Sequence, residues 1–90
     1  PEWWNDEGLK ALSERVVRVA PNYLVTITMR AVVLSGSCDA WEAGPRSAAE
    51  LKAAAVHFDL ASSLCPAPAQ KAVLTNLAGH QRRKAEGMFK

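Results

Sequence analysis

The chain is short of almost everything that side-chain catalysis requires. Among 90 residues it has two histidines, His57 and His80, and two cysteines, Cys38 and Cys65. Neither histidine stands three or four positions from the other or from a cysteine, so the local spacing of zinc ligands is absent. The five glycines are scattered, which excludes a glycine-rich phosphate loop. Cys65 and His57 could in principle act as nucleophile and base. Cys65, however, immediately precedes Pro66 at a helix end, a position with a structural use. Glu7, Glu14, Glu42 and Glu50 offer no evident catalytic pair. The expectation is a protein that is not an enzyme and that carries no metal and no cofactor.

Long apolar runs are missing too. The longest apolar stretch, residues 23–34, is interrupted by Thr26, Thr28 and Arg30, too short and too polar for a membrane span. No basic start followed by a small-residue cleavage site marks a signal peptide. Two cysteines 27 positions apart do not make a disulfide framework, so free thiols in a reducing compartment are expected. Together these features point to an intracellular protein, cytoplasmic or within an organelle after processing. A first residue Pro1, without an initiator methionine, reads as a processed product or a piece of something longer.

What is present suits a folded domain. An apolar share of 49% against 22% charged is ordinary for a globular chain, and 90 residues make one domain at most. Charge is unevenly placed. Residues 1–45 carry four basic and six acidic side chains, and residues 46–90 carry seven and three. Arg82, Arg83 and Lys84 concentrate the positive charge, as a solvated helix end would or as a surface for an acidic partner or nucleic acid would.

Asn5 and Asp6 are good helix caps, and Leu9, Leu12, Val16 and Val19 follow at helical spacing until Pro21. Residues 22–36 read two ways. Val25, Ile27, Met29, Ala31 and Val33 alternate as in a half-buried strand. Leu24, Ile27, Ala31 and Leu34 equally form a helical stripe, with Asn22 as cap and Gly36 as stop. Residues 37–47 read as a loop, with Trp41 folding back as an apolar plug. Ser47 and Glu50 form a capping box. Leu51, Ala54, Ala55, Phe58, Ala61 and Leu64 then make an apolar face that Pro66 stops. Residues 69–85 form a last helix, with Ala72, Val73, Leu77 and Leu74 turned inward.

The segment from Ala54 to Pro66 has a small residue, an aromatic four on, an alanine three further and a closing proline. In this it resembles the tetratricopeptide repeat. Residues 16–21 echo the same helix end, and Ile27, Arg30, Ala31 and Leu34 are similar to the first helix of a repeat. Pro21 and Pro66 are 45 positions apart, against a family period of 34, which requires an insertion placed at residues 37–47. The resemblance implies a helix over residues 22–36. The expected fold is therefore all-α, a single domain made of a short antiparallel stack of four helices in hairpins. The alternative is α+β with residues 23–34 as a strand.

The function expected is that of a protein-interaction module or structural subunit, its partner another protein within a larger assembly. By the resemblance, a groove would be lined by exposed residues of each pair's first helix: Val25, Thr28, Met29 and Val32, then Thr75, Asn76, Arg82 and Arg83. The family's clamp for terminal carboxylates is not reproduced. Adjacent Trp3 and Trp4 cannot point the same way: one can staple onto Leu9 or Leu12 with the other exposed, and the pair reads either as sealing the end of the core or as a hot spot for a protein partner. Arg82, Arg83 and Lys84 serve the alternative, a nucleic-acid-binding domain that uses its basic last helix.

Overall fold

Local signals set where each helix begins and ends. In the computed structural model, which describes residues 5–36 and 46–88, four helices follow one another and no strand occurs among the described residues. Helix α1 (Asp6–Val19) opens at Asn5, whose Oδ1 accepts from the Gly8 amide at 2.7 Å, with Asp6 and Glu7 at the positive end of the helix dipole. Its inward face is Leu9 and Ser13, with Leu12 and Val16 half-buried. Val19, expected to continue this stripe, is 85% exposed. It is the last residue of the helix.

Helix α2 (Leu24–Ser35) resolves the ambiguous segment as a helix. Ile27, Ala31 and Leu34 are buried at helical spacing. The hydroxyls that interrupt the stripe are absorbed locally: Thr28 donates to the Leu24 carbonyl at 2.7 Å and Ser35 to the Val32 carbonyl at 2.9 Å. The cap is Tyr23 rather than the expected Asn22, and it makes no side-chain bond. Thr26 secures the turn instead, its hydroxyl lying within bonding distance of the Ala20 and Tyr23 carbonyls. Gly36 ends the helix at φ 67°, a left-handed conformation that a side chain would strain, with its amide on the Val32 and Val33 carbonyls.

Helix α3 (Ala48–Leu64) starts with both bonds of the Ser47–Glu50 capping box. Leu51, Ala54, Ala55, Phe58, Ala61 and Ser62 are buried, while Leu64, expected inward, is 38% exposed in the last turn. Pro66 stops the helix through the extended backbone of Cys65. Helix α4 (Pro68–Gly87) has proline at its first position, where no amide bond is lost. Its buried face is Ala78, Gln81 and Ala85, with Leu74 and Leu77 half-buried against the core. Ala72 and Val73, expected inward, are exposed. Alanines lie on several sides of this helix, so small size alone did not fix its register. Gln81 is fully buried, and neither atom of its amide has a hydrogen-bond partner.

The helices run alternately up and down, each packed on its neighbour in sequence, as cross-links along their lengths show. Arg30 of α2 donates to the Lys10 carbonyl and Ser13 hydroxyl of α1, at 2.8 and 3.0 Å. Ala31, Ala55, Phe58 and Ala78 bring α2, α3 and α4 around one core, where three alanines allow close approach about a single aromatic ring. Burying Phe58 contributes about 1.5–3 kcal/mol relative to leaving it in water.

Arg46 ties the free end of this stack. Its guanidinium grips the Asp6 carboxylate with two bonds of 2.7 and 2.6 Å and donates to the Val33 and Leu34 carbonyls at 2.8 and 3.0 Å. One planar fork thus joins the start of α1, the end of α2 and the start of α3. No helix among the described residues is long and apolar enough to cross a membrane. Cys38, Trp41 and the expected loop up to residue 45 lie outside the described residues, as do Trp3 and Trp4.

Candidate partner-binding surface

The alternating directions gather four helix termini at each end of the stack. At one end α1 and α3 finish and α2 and α4 begin, around Pro21 and Pro66. This proline end is apolar. Of the eight large apolar side chains exposed among the described residues, six lie there: Val19, Tyr23, Val25, Leu60, Leu64 and Val73. Two depressions flank the first turn of α2. One, of about 280 Å³, is lined by Leu24 and Thr28 of α2, by Cys65, and by Gln70, Val73 and Leu74 of α4. The other, of about 420 Å³, lies against α1 and is lined by Leu12, Arg15, Val16, Val19, Ala20 and Thr26. Tyr23 and Val25, each more than half exposed, belong to the turn between them.

At the opposite end the starts of α1 and α3 share a cluster of paired charges. Lys10 meets Glu50 at 2.6 Å, Glu7 at 3.5 Å and Asp6 at 3.7 Å, beside the Arg46 fork. The bond to Lys10, and after it the Ser47 amide, holds the Glu50 carboxyl below its usual range, and the same bond raises the Lys10 ammonium above its own. The Asp6 carboxylate likewise raises the Arg46 guanidinium. These charges are spent within the fold.

The residues singled out in the sequence fall in several places. Thr28 lines the groove between α2 and α4, and Met29 is half-buried on α2. Thr75 turns toward α3, where its hydroxyl meets that of Ser62 at 2.8 Å and both lie within bonding distance of the Lys71 carbonyl. Asn76 is exposed. Arg82 pairs with Asp59 of α3 and lines a shallow depression with Lys52, Val56 and Glu86, while Arg83 and Lys84 are exposed. The groove residues missed in the sequence were Leu24, Cys65, Gln70, Val73 and Leu74. A correct register for α4 would have found Val73, which then falls outside its buried stripe, whereas Leu74 lies on the edge of that stripe, half-buried against the core.

Cys65 is a buried free thiol beside the Ala67 carbonyl and the Gln70 side chain, both at 3.7 Å. His57 donates from Nδ1 to the Ala53 carbonyl at 2.8 Å. Among the described residues no group of three or more His, Cys, Asp or Glu side chains is placed to hold a metal ion. Comparison with protein-family models, with curated proteins and with solved structures found no match to the chain.

Proposed function

We infer that the chain is a protein-interaction module, acting alone or as a subunit of an assembly, and that the proline end is its docking surface. The observation that carries this is the gathering of Val19, Tyr23, Val25, Leu64 and Val73 around two apolar depressions at one end of the stack. Scattered exposed apolar side chains are normal, but a contiguous patch is the usual mark of a surface that another molecule covers. The resemblance to tetratricopeptide repeats supports the same reading. Under it α2 and α4 are the first helices of successive pairs, and the groove between them is where such a stack presents itself to a ligand.

The test is differential capture from the native extract with three forms of the chain. Val25→Glu with Val73→Glu alters only exposed positions and puts charge into the patch. Arg82, Arg83 and Lys84 changed to glutamine removes the basic cluster, at a stability change under about 1 kcal/mol because all three are exposed. Docking at the proline end requires that the wild type and the basic-cluster variant retain the same partners and that the Val25/Val73 variant lose them. Loss with the basic-cluster variant alone would move function to the end of α4, and unchanged capture by the Val25/Val73 variant would refute the reading.

A further inference from the structure

Basic side chains outnumber acidic ones around the proline end. Residues 14–25 and 60–75, which build that end, contain Arg15, Arg18 and Lys71 against Glu14 alone. Arg18 is engaged by Glu14 of its own helix at 2.5 Å, but both side chains are exposed, so that bond is weak and exchangeable. Arg15 and Lys71 make no ion pair among the described residues. Arg15 lines the depression against α1, and Lys71 is exposed in the first turn of α4, next in sequence to Gln70, which lines the other. Away from that end Lys10 and Arg46 are matched by Asp6, Glu7 and Glu50, and Arg82 by Asp59, while Arg83 and Lys84 are exposed in the last turns of α4.

Resting on the docking surface inferred above, we propose that its occupant is an amphipathic segment of another protein with acidic flanks. Its apolar side chains fill the two depressions on either side of the α2 turn, and its carboxylates meet Arg15, Arg18 and Lys71. Charge complementarity selects this occupant. A second copy of the chain joined symmetrically through this end would bring three cations against three, with only Glu14 nearby to offset them. A basic segment would meet the same repulsion.

A random-peptide display library panned against the full chain reads the occupant's chemistry directly. Enriched peptides should combine apolar residues at helical spacing with an excess of Asp and Glu. The synthetic form of the best peptide should bind about tenfold more weakly to a variant with Arg15, Arg18 and Lys71 changed to glutamine, and should weaken with added salt. It should also lose binding to the Val25→Glu, Val73→Glu variant, whose helical melt shows that it remains folded. Peptides that are sensitive to Val25 and Val73 but neutral or basic would overturn the acidic partner and leave the docking surface standing. Peptides insensitive to those two positions, or none enriched, would overturn both. Binding to phosphatidylserine vesicles without peptide enrichment would assign the end to an anionic membrane. A dimer in sedimentation that Val73→Glu abolishes would assign it to a second copy; either result refutes the proposal.

Discussion

Replacing Arg46 with methionine tests a side chain that holds three helix ends together. The stem keeps its packing, and what is lost is a guanidinium, only 6% exposed, with two bonds to Asp6 and one each to the Val33 and Leu34 carbonyls. Removing one partner of a buried pair costs about 3–5 kcal/mol, because the other charge stays buried. Lys10, 3.7 Å from Asp6, offsets part of this, so the low end of about 3 kcal/mol applies. No other basic residue sits in the last turn of α2 to replace the contact with its carbonyls. A domain of this size has roughly 5–13 kcal/mol in total, so the variant should still fold, with a melting temperature lower by about 12–24 °C. Urea denaturation followed by far-ultraviolet circular dichroism measures the change. Adding Asp6→Asn to Arg46→Met should then cost less than the sum of the two single changes, by about 1–2 kcal/mol. A single-variant loss below about 1 kcal/mol, or strictly additive losses, would show that the fork is not what joins these ends.

Three further changes probe the rest of the fold. Phe58→Ala should cost about 3–5 kcal/mol in urea melts, since its ring is buried among Ala31, Ala55 and Ala78, which cannot fill the space it leaves; a loss under about 1 kcal/mol would contradict that packing. Gln81→Met, nearly equal in shape, removes two buried and unpartnered amide atoms and should stabilise the chain by about 1–3 kcal/mol; destabilisation would mean that the amide is satisfied in solution. Because the Glu50 carboxyl titrates lower in the folded chain than in the unfolded one, the unfolded state binds more protons in that window. The resulting stability is complete above pH 4.5, the group's ordinary value, and is lost as pH falls through the folded value. Glu50→Gln keeps a capping-box residue but removes the charge facing Lys10, so it should flatten this acid slope; an unchanged slope would assign it to other carboxylates.

What the sequence made legible was local chemistry. Asn5, the Ser47–Glu50 box, Gly36, Pro21 and Pro66 each act within a few residues, and each marks a helix end as read. The helical stripe of Ile27, Ala31 and Leu34 was visible as well, alongside an alternation that burial overrode. Arg46 was not visible, because Asp6 lies 40 positions away in sequence and the Val33 and Leu34 carbonyls 13 and 12. The face of α4 was misread because its alanines do not distinguish inside from outside and because glutamine counts as polar, although Gln81 is fully buried. The patch at the proline end needs the antiparallel arrangement before it exists at all. Val19 and Tyr23 are more than forty positions from Leu64 and Val73, and Val19 and Leu64 each looked like one more turn of an inward stripe.

Amide chemical-shift mapping of the isotope-labelled chain, titrated with its captured partner, tests the docking surface most directly. Docking at the proline end predicts that the large, saturable changes fall on Leu24, Val25, Thr28, Gln70, Val73 and Leu74. Arg83 and Lys84 at the other end of α4 should stay unmoved. Changes confined to Arg82, Arg83 and Lys84, with the residues around Pro21 and Pro66 silent, would contradict it.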